Sequence, residues 1–167
     1  MTRQSESKSG ILIRNAIVDE SLAIESVLKQ AFIVYEPLYT PDGFAATTPT
    51  SDQIRARWNE GPVWVAVQNG SIVGTVAAVP KSEGLYVRSM AVLPSARGQG
   101  IARQLLNEIE RFAINHHHTR LFLSTTPFLK HAIRLYENFG FQRRDEGKQD
   151  LFGTPLFTMV KLLEHPD

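Results

Sequence analysis

A chain of 167 residues, 43% hydrophobic and 21% charged, has the length and composition of one soluble domain with its own core and is short for two. Its 18 basic and 17 acidic residues leave a net charge of +1, so no global field exists to gather nucleic acid or anionic lipid, and neither is expected as a partner. The absence of cysteine excludes disulfides, thiolate metal sites and a cysteine nucleophile.

The N-terminal stretch MTRQSESKSG is polar and lacks the apolar run of a secretory signal, and no later segment approaches the length of a membrane span. The expectation is a cytoplasmic protein with a disordered polar tail over 1–9 and a single domain over 10–167. Ile11 to Ile17 reads as a strand. Asp19 can cap a helix with Leu22, Ala23, Val27, Leu28 and Ala31 at helical spacing. Tyr35 to Pro49, rich in aromatic, proline, glycine and threonine residues, argues against regular structure, and long connections of this kind often carry function. Thr50, Ser51 or Asp52 opens a short helix with Ile54, Ala56 and Trp58, stopped by Gly61 and Pro62. Two β-rich runs, Val63 to Gln68 and Ser71 to Val79, joined by Asn69-Gly70, make a hairpin, because both turn positions tolerate positive φ. Leu85 to Leu93 adds a third antiparallel strand. Ile101, Leu105, Leu106, Ile109 and Phe112 mark an amphipathic helix, and Leu121 to Thr125 a strand reached by a parallel crossover. A last helix from about Phe128 to Phe139 stops at Gly140, and Phe141 onward closes a hairpin through a turn-like QDLFGTP.

The segment PSARGQGIA lies between a strand and a helix. The first turn of a helix leaves backbone N–H groups without intrahelical partners, and its dipole adds partial positive charge, so an anion fits there. Gly98 and Gly100 let the backbone approach a diphosphate closely. A phosphate loop of the Lys-Ser or Lys-Thr type is absent, and the segment follows an antiparallel meander rather than opening a dinucleotide-binding parallel sheet.

RGQGIA, with MAVLP before it and Leu105-Leu106 after it, resembles the R/Q-x-x-G-x-G/A segment of the GCN5-related N-acetyltransferases. AIRLYENFGF, Ala132 to Phe141, is similar to that family's second hallmark. The resemblance implies an α/β (α+β) fold, with a mixed, mostly antiparallel sheet of about six to seven strands flanked by about four helices. It implies acetyl-CoA as co-substrate, no metal, and direct acetyl transfer to an amine-bearing acceptor. A non-catalytic acyl-CoA-binding module on the same fold is the alternative, and a homodimer stays open.

Residue by residue, the resemblance implies that Arg97, Gly98, Gln99, Gly100, Ile101, Ala102 and Arg103 surround the pyrophosphate of coenzyme A. Met90, Ala91 and Val92 pair their backbone with the pantetheine arm, and an N–H near Val92 faces the thioester oxygen as an oxyanion donor. Tyr136 takes the place of the acid that assists the departing thiolate. The asparagine common in the family is replaced by Leu129, and Thr125 or Thr126 can supply a hydroxyl instead. An incoming amine, with a pKa of about 10, needs deprotonation, and Glu83 is the candidate base, directly or through water. Tyr35, Tyr39, Tyr86, Arg88 and Ser89 are candidates for the acceptor side. No acidic cluster marks a pocket for a polycation. His116, His117 and His118 are consecutive at a helix end, so their rings diverge and no metal is expected there.

Overall fold

The computed structural model describes residues 5–6 and 10–164. Strands β1 (Ser5–Glu6), β2 (Ile11–Asn15), β3 (Val63–Gln68), β4 (Ser71–Lys81), β5 (Gly84–Val92), β6 (Arg120–Thr125), β7 (Gln142–Leu151) and β8 (Thr154–Leu162) form one sheet in the order β1-β2-β3-β4-β5-β6-β8-β7. Every neighbouring pair is antiparallel except β5 and β6. Helices α1 (Ser21–Phe32), α2 (Pro41–Thr47), α3 (Ser51–Ala56), α4 (Ile101–Asn115) and α5 (Lys130–Phe139) connect them.

The run VWVAV is apolar at consecutive positions because β3 is covered on both faces. Trp64 and Ala66 join Ile101, Leu105, Leu106, Ile109 and Ala113 of α4 in the larger core. Val65, on the opposite face, packs with Ile24, Val27, Leu28 and Ala31 of α1 and with Ile54 of α3. The β3–β4 hairpin turns at Asn69 and Gly70, with φ of 52° and 78°, the two positive values an Asn-Gly turn supplies.

Several sequence expectations are corrected. Among the described residues the sheet has eight strands where about six to seven were expected, and there are five α-helices where about four were expected. The added edge strand, Ser5–Glu6, falls within the stretch expected to be a disordered tail; most of that stretch lies outside the described residues. The added helix, α2, lies in the segment expected to be irregular. Thr40 accepts the Gly43 N–H at 3.0 Å as its N-cap, Pro41 fills the first helical position, and Thr40 N–H is in turn held by Thr154 Oγ1 at 2.9 Å. The last hairpin turns only at Phe152 and Gly153, with φ of 49° and 94°, so the strand continues through Gln149, Asp150 and Leu151. Leu22 is exposed and Ile24 takes the buried position on α1, which gives the spacing 24, 27, 28, 31.

Asp19 does not cap α1. Glu20 organises that corner: its Oε1 accepts the Ile17 N–H at 2.9 Å, and its two oxygens pair with the Arg14 guanidinium at 2.9 and 2.6 Å. The Arg14 hydrogen bonds, ahead of a smaller opposing effect of burial, hold the Glu20 carboxyl below its ordinary pKa. A folded-state pKa below the unfolded value of about 4.3 stabilises the fold above that pH, and the contribution vanishes as pH falls through the folded pKa. Glu20→Gln is therefore expected to cost on the order of 1 kcal/mol at neutral pH, with the gap to the parent narrowing toward pH 3. Urea unfolding at the two pH values measures it, and a gap that does not narrow would remove the ionic pair as its cause.

Candidate active site

Strands β5 and β6 are parallel neighbours only at Leu85↔Leu121 and Tyr86↔Phe122. Beyond Tyr86 they diverge, because β6 pairs along its whole length with β8 while β5 stays with β4. The divergence opens a cleft of about 350 Å³. Tyr86, Arg88, Ser89 and Met90 line it from β5, Leu123 to Thr126 from β6 and the residues after it, and Leu129 and Tyr136 from the start and middle of α5.

A β-bulge shapes the β5 wall. The β4–β5 register shifts between Thr75↔Ala91 and Ala77↔Arg88, and Ser89 within the bulge has a φ of 56°. Such a bulge interrupts the ladder and re-aims the side chains beside it. Past the bulge, the Leu93 N–H donates to the Val73 carbonyl on β4 at 2.8 Å. Successive N–H groups of a strand point to opposite sides, so the Val92 N–H is directed away from β4, toward the divergence.

From Val92 the chain continues through a turn, Pro94–Ala96, to the glycine segment. Gly98 and Gly100 have φ of 82° and 77°, and a Cβ at either would meet no protein atom within 4 Å. Their conformation favours glycine, and the space beside them is open to a ligand. The first hydrogen bond of α4 runs from Gln104 N–H to Gly100 C=O at 3.1 Å, leaving the N–H groups of Ile101, Ala102 and Arg103 without intrahelical acceptors. The segment is tied down at its ends. Arg97 donates to the Ala31 carbonyl at 3.4 Å, and Gln99 donates to the Ala96 carbonyl at 3.2 Å while accepting from Gln68 at 2.7 Å. A helix start with unpaired donors and two positive-φ glycines facing open space fits a diphosphate.

Tyr136 is buried, its ring meeting Phe141 in a T-shaped contact at 5.7 Å. Burial above all, with smaller effects from Tyr86 and Tyr39, pushes its phenol well above the ordinary value, so it is a proton donor throughout the neutral range. Tyr86 and Tyr39 are also shifted up by burial, the first opposed by Arg88 and Ser124, the second by Thr47 and Thr126.

Among the sequence-derived candidates, the cleft gathers Tyr39, Tyr86, Arg88, Ser89, Met90, Thr125, Thr126 and Tyr136. Tyr35 instead packs against Phe128, 6.2 Å between ring centres, and is not among the lining residues. Phe128 is drawn into this aromatic group rather than into α5, which starts at Lys130. Glu83 sits in the β4–β5 turn, exposed, its carboxylate accepting from Ser82 at 2.7 Å, and outside the cleft lining. Arg103 lies with its guanidinium 5.7 Å from the Phe139 ring centre, joining α4 to α5. His116 bonds the Phe112 carbonyl at 2.9 Å, and no group of three His, Cys, Asp or Glu side chains able to hold a metal occurs among the described residues. Arg57, which the sequence offers only as a basic residue near a helix end, also lines the cleft.

A family model described as the acetyltransferase (GNAT) family matches residues 30–141. The chain belongs to that family. The cosubstrate of the GNAT fold is therefore acetyl-CoA, which the glycine segment fits, and the reaction class is N-acetyl transfer. The chain is 29% identical over 140 residues to the uncharacterized N-acetyltransferase YjgM of Escherichia coli, covering 80% of this chain and 83% of that protein. It is 38% identical over 98 residues to human N-acetylaspartate synthetase, covering 58% of this chain but only 32% of that protein. Among solved structures, PaiA N-acetyltransferase of Thermoplasma acidophilum in complex with coenzyme A superposes with a TM-score of 0.78 at 15% identity, over 92% of this chain and 99% of that one.

Proposed function

We propose that this GNAT chain transfers acetyl directly from acetyl-CoA to the amine of an acceptor bound in the β5–β6 cleft. The observation that carries the reading is the divergence of β5 from β6, which puts an unpaired strand edge and the Tyr136 phenol on the walls of one opening. Acetyl-CoA supplies the acetyl group as a thioester. The N–H groups from Gly98 to Arg103 hold its diphosphate, and the Met90–Val92 edge pairs with the amides of its arm. Thr125 and Thr126 face that edge from the other wall and supply hydroxyls where Leu129 has no polar group. The Val92 N–H donates to the thioester oxygen as negative charge gathers on it, and losing such a donor costs about 3 kcal/mol of transition-state stabilisation. Tyr136 gives a proton or a strong hydrogen bond to the departing sulfur.

Glu83 lies outside this arrangement, and among the described residues the lining includes no Asp, Glu or His. Deprotonation of the amine therefore falls to water, and the acceptor reacts as its neutral fraction allows. Calorimetry with acetyl-CoA, together with thiol release over a panel of amines, tests the reading. Cofactor binding with no thiol release from any amine would overturn it. For an acceptor with a pKa of about 10, kcat/KM is expected to rise about tenfold per pH unit from pH 7 to pH 9. A plateau beginning near pH 7 would instead reveal a side-chain base.

A further inference from the structure

The acceptor side of the cleft carries charge of one sign. Among the described residues, Arg57 and Arg88 are the charged members of its lining, beside the aromatic rings of Phe32, Tyr39 and Tyr86. Arg57 is the C-cap of α3 and reaches β5, where its Nη2 lies 3.4 Å from Ser89 Oγ. Among the described residues it makes no ion pair within 4.0 Å. Arg88 pairs through Nη1 with Glu60 at 2.9 Å, yet its Nε is buried and has no hydrogen-bond partner. Glu60 is 47% exposed and lies outside the lining, so one half-solvated carboxylate, paired with Arg88 alone, stands against two guanidiniums. Behind them, a cavity of about 30 Å³ between α1, α3 and the sheet has room for about one water.

This arrangement is electrostatically incomplete. Burial first, and the Arg88 charge second, pull the Arg57 pKa down, although a guanidinium stays protonated at any physiological pH. Partly desolvated like charges are retained at a cost unless a partner of opposite charge completes them. The excess is one positive charge, which matches a carboxylate better than a phosphate dianion, and the planar guanidinium fork suits carboxylate geometry.

We propose that the acceptor is a small amine that also bears a carboxylate, an amino acid or close analogue, with Arg57 and Arg88 holding the carboxylate. This rests on the acetyl-transfer reading above. Phe32, Tyr39 and Tyr86 then pack the remainder of the acceptor.

The test compares each common amino acid with its decarboxylated amine, for example L-phenylalanine with 2-phenylethylamine and L-leucine with isoamylamine, by thiol release from acetyl-CoA. At least one acid is expected to exceed its twin tenfold or more in kcat/KM. R57Q and R88Q are each expected to raise KM for that acid at least tenfold with a much smaller change in kcat, collapsing the preference toward one. Equal use of acid and twin throughout overturns the proposal, as does a preference that neither variant moves. If acetyl-CoA binds but no amine releases thiol, the transfer reading fails. The carboxylate site is then judged separately, by calorimetric titration of the CoA-loaded protein with the amino acids and their twins. Binding of acids but not twins supports it, and binding of neither overturns it.

Discussion

Gly100→Glu is expected to abolish acetyl-CoA binding while leaving the fold in place. Gly100 is the N-cap of α4 in the left-handed region, and a Cβ there meets no protein atom within 4 Å, so the backbone strain of a non-glycine residue, about 1–2 kcal/mol, is the main cost to stability. The new carboxylate, however, enters the space proposed for the diphosphate. One pair of like charges about 5 Å apart, at an effective dielectric of about 20, costs about 3 kcal/mol, a loss of roughly a hundredfold before any steric exclusion is added. Gly100→Ala carries the same strain without the charge and separates the two effects. Calorimetry on both, with thermal unfolding to confirm the fold, decides the matter. Retained affinity in Gly100→Glu would sink the cradle.

What could be read from the sequence was what local chemistry dictates. Asn69-Gly70 needs only two adjacent positive-φ residues to announce its hairpin, and the glycines at 98 and 100 announce a left-handed turn into a helix start in the same way. Tyr136 was legible because the segment around it keeps a recognisable pattern up to the left-handed Gly140. Features set by distant partners were not. Helix α2 depends on Thr40, which is held by Thr154, 114 residues away, so its own proline- and glycine-containing sequence reads as a loop. The bulge on β5 puts Ser89, not a glycine, at positive φ, so no residue type advertises it. Arg57 looks like any solvated helix-end arginine until the fold brings it to Ser89, 32 residues on. Glu83 shows the converse: its closeness in sequence to the β5 strand suggested a base, but it lies at the paired end of the strand, away from the divergence.

Tyr136→Phe is expected to lower kcat by roughly ten- to a thousandfold while leaving acetyl-CoA affinity nearly unchanged. The substitution removes one hydroxyl and keeps the ring, so the T-shaped contact with Phe141 and the packing of α5 on the sheet persist. Stability should shift by about 1 kcal/mol at most, the usual net worth of one hydroxyl interaction. The kinetic effect is expected to be larger because the role proposed for the phenol falls only in the step that breaks the C–S bond. Without it the departing thiolate, with a thiol pKa of about 8.5, loses the donor proposed for it. Because burial holds the Tyr136 phenol protonated, its contribution should not itself titrate between pH 6 and pH 9, and the ratio of parent to variant rates should stay flat across that range. A ratio that changes with pH would assign the proton to another group. An unchanged kcat would take Tyr136 out of the chemistry and leave it as packing between α5 and Phe141.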